Sequence, residues 1–486
     1  MESKVIRSVA IAGGGIVGWS AAAALKRRLP SLSVSVIAVP PPADALADGV
    51  VCTLPSIVDF HRDLGLSEAD TVLRAGSGYR LGTRFEGWSA PDYVHAYGSY
   101  GTQLGSAAFH QYWVRAAKTG AAIPFDHYSA AAMLAREDRF APPEAVARAG
   151  LGAIGYGLHI NRPRYREMMR AFALHLGASE VAGPISGVRL SDGSIETVQA
   201  GKRDVSADLY VDASGPSAQL RSRLDEDWED WSEWLPHDRV HFAQSQSPAE
   251  PSLLDRAVAF PGGWWWQAAT PGGTYCGIAY SSHRLTEADA ARVLTEQAGV
   301  TAVEPAVAIR QGRWSRPWLG NCVAIGDAAV AAEPLEWTNL HLAHGAIDRI
   351  VSMMPDRDFS AVELWDYNRQ VGAEADRVRD FLALHHSTAS GKQAAALPPS
   401  LEHTLRQFRE RGRLPFFEEE TFSRDSWLAV LLGQSVIPSR VDPLTDALAP
   451  SETEAAMVQL RETIATFVDR LPRYPDYLQQ LGQKAA

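Results

Sequence analysis

The sequence predicts an α/β protein with a Rossmann-type core, a β-sheet layer and a mainly helical C-terminal part. Three observations carry this. The apolar run Val9-Ala10-Ile11-Ala12 reads as a buried parallel strand, and Gly13, Gly15 and Gly18 follow it in G-x-G-x-x-G spacing where Ser20 to Arg27 begins to read as helix. A second strand, Val34 to Val39, closes a βαβ unit. Two later stretches, Ala207 to Pro216 and Asn321 to Ala329, each read as a strand running into a turn of small residues, as strands returning to one parallel sheet do.

The glycines have separate tasks. Gly13 allows the tight turn, Gly15 lets backbone approach a pyrophosphate, and Gly18 packs helix against strand. The helix N-terminus adds N–H groups and the positive end of its dipole. A dinucleotide site is therefore expected at this loop. One customary residue is missing. The acid that holds the adenosine ribose at the end of the second strand is replaced by Ala38, followed by Val39-Pro40-Pro41-Pro42.

With 486 residues the chain is long for one core, so one large α/β body with appended layers is expected. We place a core over residues 1–365 and a helical, substrate-covering region over 366–486. The formal charge of −11 and the lack of a basic tract argue against nucleic acid as partner. No apolar run is long enough for a membrane span, and the N-terminus lacks a secretory apolar core, so a cytoplasmic location without membrane attachment is expected. Cys52, Cys276 and Cys322 are odd in number and widely spaced, which suggests structural thiols. No zinc-type ligand spacing occurs, and no metal site is expected.

Further along, Ser56 to His61 has helical spacing, Ser77 to Trp88 alternates like a strand, and Tyr93 to Gly98 is a short extended run carrying His95 and Tyr97. Ala107 to Ala149 reads as helices. Val188 to Val198 reads as a hairpin turning at Asp192-Gly193. Gly262 to Gln267 and Tyr275 to Tyr280 form two strands joined at Thr270-Pro271-Gly272-Gly273. Alternation along a strand puts Trp264 and Trp266 on one face and Trp265 on the other. The small residues around Asp327 and Ala328 allow close approach to a cofactor, and Asp327 offers an acceptor for its hydroxyls or is a plain turn residue. Ser390 to Ser400, with Gly391 and Pro398-Pro399, is expected to be a mobile loop.

These residues together resemble the flavin-dependent tryptophan halogenases. The likeness rests on Gly13 to Trp19, on Leu81-Gly82 with Phe85 and Trp88, on His159 to Arg162, and on Asp208 to Gly215. It continues through Trp231 with Leu235-Pro236-His237-Asp238, Gly263 to Trp266, Glu333 to Glu336 and Phe381 to His385. The resemblance implies FAD, reduced by a separate flavin reductase, with oxygen and chloride as co-substrates. It further implies a Lys that passes the halogen to a small aromatic substrate, assisted by a Glu. Gly13, Gly15, Gly18, Trp19, Asp327 and Ala328 would hold the cofactor, and Tyr97, Trp264, Trp266, Trp337 and Thr338 would line tunnel and substrate pocket.

The chain departs from that pattern where the chemistry lies. The Lys falls on Arg80, which stays charged at any working pH and cannot offer an amine lone pair. Glu336 is kept, but the small Ser after it becomes Trp337, and the halide-associated Thr-Gly becomes Thr338-Asn339. The flavin-side Gly-Val-Gly-Glu becomes Gly49-Val50-Val51-Cys52. Arg80 either orients an oxidant or pairs with Glu336 as a buried ion pair. His95 either serves as acid or base or is packed in the core. Loss of the Lys points to oxygenation of an indole-like molecule rather than halogenation, with Arg80, Glu336 and His95 at the reacting centre. A halogenase using Arg80 and a non-catalytic flavin or aromatic-ligand binding protein are the alternatives. A homodimer is compatible with this reading.

Overall fold

The computed structural model describes residues 5–120, 122–245, 250–388 and 396–485. The chain forms two compact units, each assembled from three segments: 1–77, 160–240 and 305–379 in the first, 78–159, 241–304 and 380–486 in the second. Residue 365, where the sequence places the start of the C-terminal region, lies inside the helix Ala361–Thr388.

The first unit is built on the expected βαβ start. Strand Ser8–Ala12 leads through the glycine loop into helix Ile16–Arg28, and strand Ser33–Ile37 returns parallel to the first. The sheet continues as read from sequence: Leu209–Asp212 pairs parallel with Ser8–Ala12, and Cys322–Ala324 pairs parallel with Leu209–Asp212. Ser179–Val181 and Trp318–Leu319 complete its six strands at the two edges. Ala21 to Ala24 are all buried, and helix Ile16–Arg28 packs against helices Arg162–His175 and Asn339–Ser352. The hairpin between Ile185–Ser191 and Ser194–Ala200 turns at Asp192 and Gly193, both with positive φ (49° and 75°), as an Asp-Gly turn requires.

The second unit carries the large sheet. Its strands include Gly82–Glu86, Tyr93–Ala96, Leu254–Phe260, Gly263–Thr270 and Gly273–Tyr280. The single strand expected over Ser77 to Trp88 is broken at Leu81. Gly78–Arg80 pairs with Gly157–His159, whereas Gly82–Glu86 joins the large sheet. A Cβ at Gly82 would overlap the carbonyl oxygen of His95, so only glycine lets these strands approach. Trp264 and Trp266 share a face with ring centroids 5.2 Å apart, while Trp265 packs on the opposite face with Ile278, Leu294 and Val300. Gly277 lies opposite Trp266, where a Cβ would strike the indole.

Helices Pro399–Arg411, Arg424–Gly433, Pro450–Asp469 and Tyr474–Ala485 make the C-terminal part helical, as expected. Of the loop expected over Ser390 to Ser400, residues 390–395 lie outside the described residues, and Ser400 belongs to a helix. The three cysteines are buried free thiols. Among the described residues no helix is long and apolar enough to cross a membrane.

Candidate functional site

The glycine loop forms a cradle in the first unit. Gly13 N–H donates to the Ile37 carbonyl at 3.0 Å and Gly14 N–H to Val39 at 2.7 Å, which ties the loop across the sheet edge. Gly13 has φ +137°, and a Cβ there would overlap the Ala213 backbone. A Cβ at Gly18 would overlap the Gly13 carbonyl oxygen. Trp19 is buried, and its indole N–H donates to the Gly14 carbonyl at 3.1 Å, so it braces the loop.

At Gly15 an added Cβ would meet the carboxylate of Asp48. That carboxylate accepts the N–H of Ile16 and, at 3.3 Å, the N–H of Val17. An anion therefore sits on the first turn of the helix. Asp327 lies in the tight turn Gly326–Ala328 after strand Cys322–Ala324, and its Oδ2 accepts the Ala47 N–H at 2.6 Å. Its buried Oδ1 makes no hydrogen bond of normal geometry among the described residues, although the Asn339 side chain lies close enough to help hold its charge, and the Thr338 hydroxyl and the Asn339 Oδ1 make none either. The Ala328 carbonyl accepts the indole N–H of Trp314 at 2.9 Å. Glycines that exclude side chains, helix N–H groups that already hold an anion, and a buried acceptor awaiting a donor fit a polyhydroxylated dinucleotide.

Desolvation pushes the Asp48 carboxyl up to about 6 and that of Asp327 to about 8, with Asp48 and Asp44 adding repulsion at Asp327. Folded values raised above the unfolded ones mean that the native state holds more protons than the unfolded state between about pH 4 and 8. Stability is therefore expected to fall as pH rises through that window. Thermal unfolding from pH 5 to 8.5 checks this, and Asp327→Asn should flatten the curve. An unchanged slope would remove the assignment.

Glu336 and Trp337 are buried, and both have φ +60°, a left-handed conformation uncommon for residues with a Cβ. Such strain persists only where the surroundings enforce it, and it recurs at functional sites.

In the second unit Arg80 is fully buried, and its guanidinium donates to Asp255, Tyr97 and Thr83, among others. Nε donates to Asp255 Oδ1, Nη1 to the Tyr97 hydroxyl, and Nη2 to Thr83 Oγ1 at 2.5 Å. Thr83 in turn donates to Asp255 Oδ2 at 3.0 Å. Parallel pairing of Leu254–Phe260 with Gly82–Glu86 sets Asp255 directly beside Thr83. Within its own unit Arg80 has an ion-pair partner in Asp255, which the sequence reading missed. Asp255 and Ala257 are the buried alternates of their strand, and a buried acid needs a cation, but alternation along the strand does not say which one. Burial depresses the nearby His159 to about 4, so that imidazole is neutral.

His95 is buried in an aromatic setting. Tyr97 stands edge-on at 5.7 Å, with Phe381 at 5.7 Å and Phe422 at 6.2 Å. Tyr97 thus touches both His95 and Arg80, and it brings the two expected site residues of this unit together.

The chain matches the family model described as tryptophan halogenase over residues 8–450. It belongs to the tryptophan halogenase family. It is 25% identical to tryptophan 6-halogenase SttH of Streptomyces toxytricini, with all of both chains covered. To tryptophan 7-halogenase RebH of Lentzea aerocolonigenes it is 26% identical, over 98% of this chain and 99% of the relative. The structure of BrvH, a flavin-dependent halogenase from Brevundimonas sp. BAL3, superposes with a TM-score of 0.91 at 31% identity, over 98% of this chain and all of that one. These relatives are named halogenases, so family membership favours halogenation over the oxygenation expected from the loss of the Lys.

Proposed function

We propose that this chain halogenates an indole-like aromatic molecule, using reduced FAD from a separate flavin reductase, oxygen and halide. What carries the reading is the whole-length membership in the halogenase family together with an intact glycine cradle. In this reading Gly13, Gly15 and Gly18 keep the loop free of side chains so that the N–H groups of the first helical turn can reach the pyrophosphate, and Asp327 accepts a ribityl hydroxyl. Bound FAD would supply the activation of oxygen. Glu336 would accept the ring proton released on substitution, with Trp337 and Thr338 next to it in the chain, and in the other unit Trp264 and Trp266 would offer an apolar face to the aromatic substrate.

Arg80 acts here as a fixed hydrogen-bond donor. Burial can pull a Lys ammonium down far enough to expose an amine lone pair, but a guanidinium starts so far above the working range that it stays protonated under the same influence. Asp255 reinforces its charge. Arg80 would therefore orient the oxidant without carrying the halogen covalently, with His95 and Tyr97 behind it. The same observation favours a second reading, oxygenation of the substrate, because the nitrogen carrier is missing.

One experiment separates the readings. Protein, flavin reductase, FAD, NADH and chloride or bromide are incubated with a panel of indoles, and products are read by mass spectrometry. Halogenated indole is expected from the wild type, with little chlorinated product from free tryptophan. Trp337→Ser should raise the yield, since an indole replaces the small Ser of the resembled pattern. Hydroxylated product alone would move the chain to the oxygenase reading. No turnover with tight flavin binding would leave a binding protein.

A further inference from the structure

The glycine cradle holds an anion of the chain's own. Asp48 lies in the short helix Leu46–Gly49, and its carboxylate caps the first turn of helix Ile16–Arg28 through the Ile16 and Val17 N–H groups. It fills the space that Gly15 leaves by having no side chain. These are the groups that a pyrophosphate would need. The segment is pinned in place: Ala45 N–H donates to Pro42 at 3.0 Å, Asp48 N–H to Ala45 at 3.2 Å, and Ala47 N–H to Asp327 at 2.6 Å.

We propose that the Asp48 carboxylate is a resident counter-anion of the cradle, which the pyrophosphate of FAD must displace, so that Asp48 sets the flavin affinity of this chain. The inference rests on the flavin reading above and deepens it. Asp48 takes the N–H groups of Ile16 and Val17, the donors nearest the glycine loop, so a phosphate docking there competes with it for the same groups. Displacement also frees the buried Asp327, whose Oδ2 is held by the Asp48 segment and whose Oδ1 makes no hydrogen bond of normal geometry. One movement therefore opens the phosphate position and presents a hydroxyl acceptor. Asp48 as a residue is half-buried, at the edge of the cradle rather than in the core.

The charge acting on Asp48 is that of Arg166, which attracts it, while Asp48 and Asp44 together repel the neighbouring Asp327. Protonation weakens the cap, so wild-type FAD affinity should rise as pH falls through about 6. The test is FAD titration of the full chain, followed by flavin fluorescence, from pH 5 to 8.5, with ADP as a second probe that carries the pyrophosphate without the flavin. Asp48→Ala is expected to bind both ligands at least tenfold more tightly than wild type at pH 8 and to lose most of the pH slope. Asp48→Asn, neutral but still an acceptor, should fall between the two. Circular dichroism of each variant shows that the fold is kept. FAD bound equally well or more weakly by Asp48→Ala, with the pH slope unchanged, overturns the exchange and leaves the flavin reading standing. No binding of FAD or ADP by any variant overturns both.

Discussion

Replacing Arg80 by Met is expected to cost about 3–5 kcal/mol of stability, as breaking a buried ion pair does. The substitution strips a guanidinium from a carboxylate that is itself only 1% exposed, and it leaves the Tyr97 hydroxyl and Thr83 short of a donor. Asp255→Leu should cost a similar amount by stranding the cation. The double variant replaces both charges by apolar groups and should recover most of the loss, since the desolvation of two ions disappears with them. Urea unfolding of the four proteins gives the coupling energy. If each single change costs under about 1 kcal/mol, the cluster is not the closed ion pair described here. The same geometry predicts that Arg80→Lys will not by itself create a halogen carrier. Asp255 would hold the new ammonium charged, so product should rise only when Asp255 is neutralised as well.

Gly18→Ala is expected to abolish flavin binding, weakening it at least about 100-fold, or about 2.8 kcal/mol. The added methyl would collide with the Gly13 carbonyl oxygen, and backbone on both sides leaves nothing that can yield by a rotamer change. Strand Ser8–Ala12 and helix Ile16–Arg28 would have to separate, and the N–H groups would leave their common aim. Gly15→Ala is a milder change, because its Cβ meets the end of the Asp48 side chain, which can move. FAD titration of the two variants checks the ordering. Equal affinities for Gly18→Ala and wild type would show that the loop does not hold the cofactor.

The sequence determined the parts of this protein that depend on local pattern. Val9 to Gly18 could only be a strand, a tight turn and a helix start, since glycine spacing and apolar periodicity are properties of neighbouring residues. The Asp192-Gly193 hairpin and the opposite facing of Trp265 from Trp264 and Trp266 were legible for the same reason. The break at Leu81 was not. Alternation runs on through it, and only pairing with two separate partners, Gly157–His159 and Leu254–Phe260, divides the strand. Nor could the sequence show that each compact unit gathers three distant segments, since apolar periodicity does not say which buried faces meet. Tertiary structure also decided the roles of two carboxylates, one in each unit. Asp255 reaches Arg80 across 175 positions and Asp48 reaches Ile16 across 32. Neither distance leaves a local trace: a buried charge chooses its partner by proximity in the folded chain, and the desolvation that makes the choice binding exists only once the chain has folded.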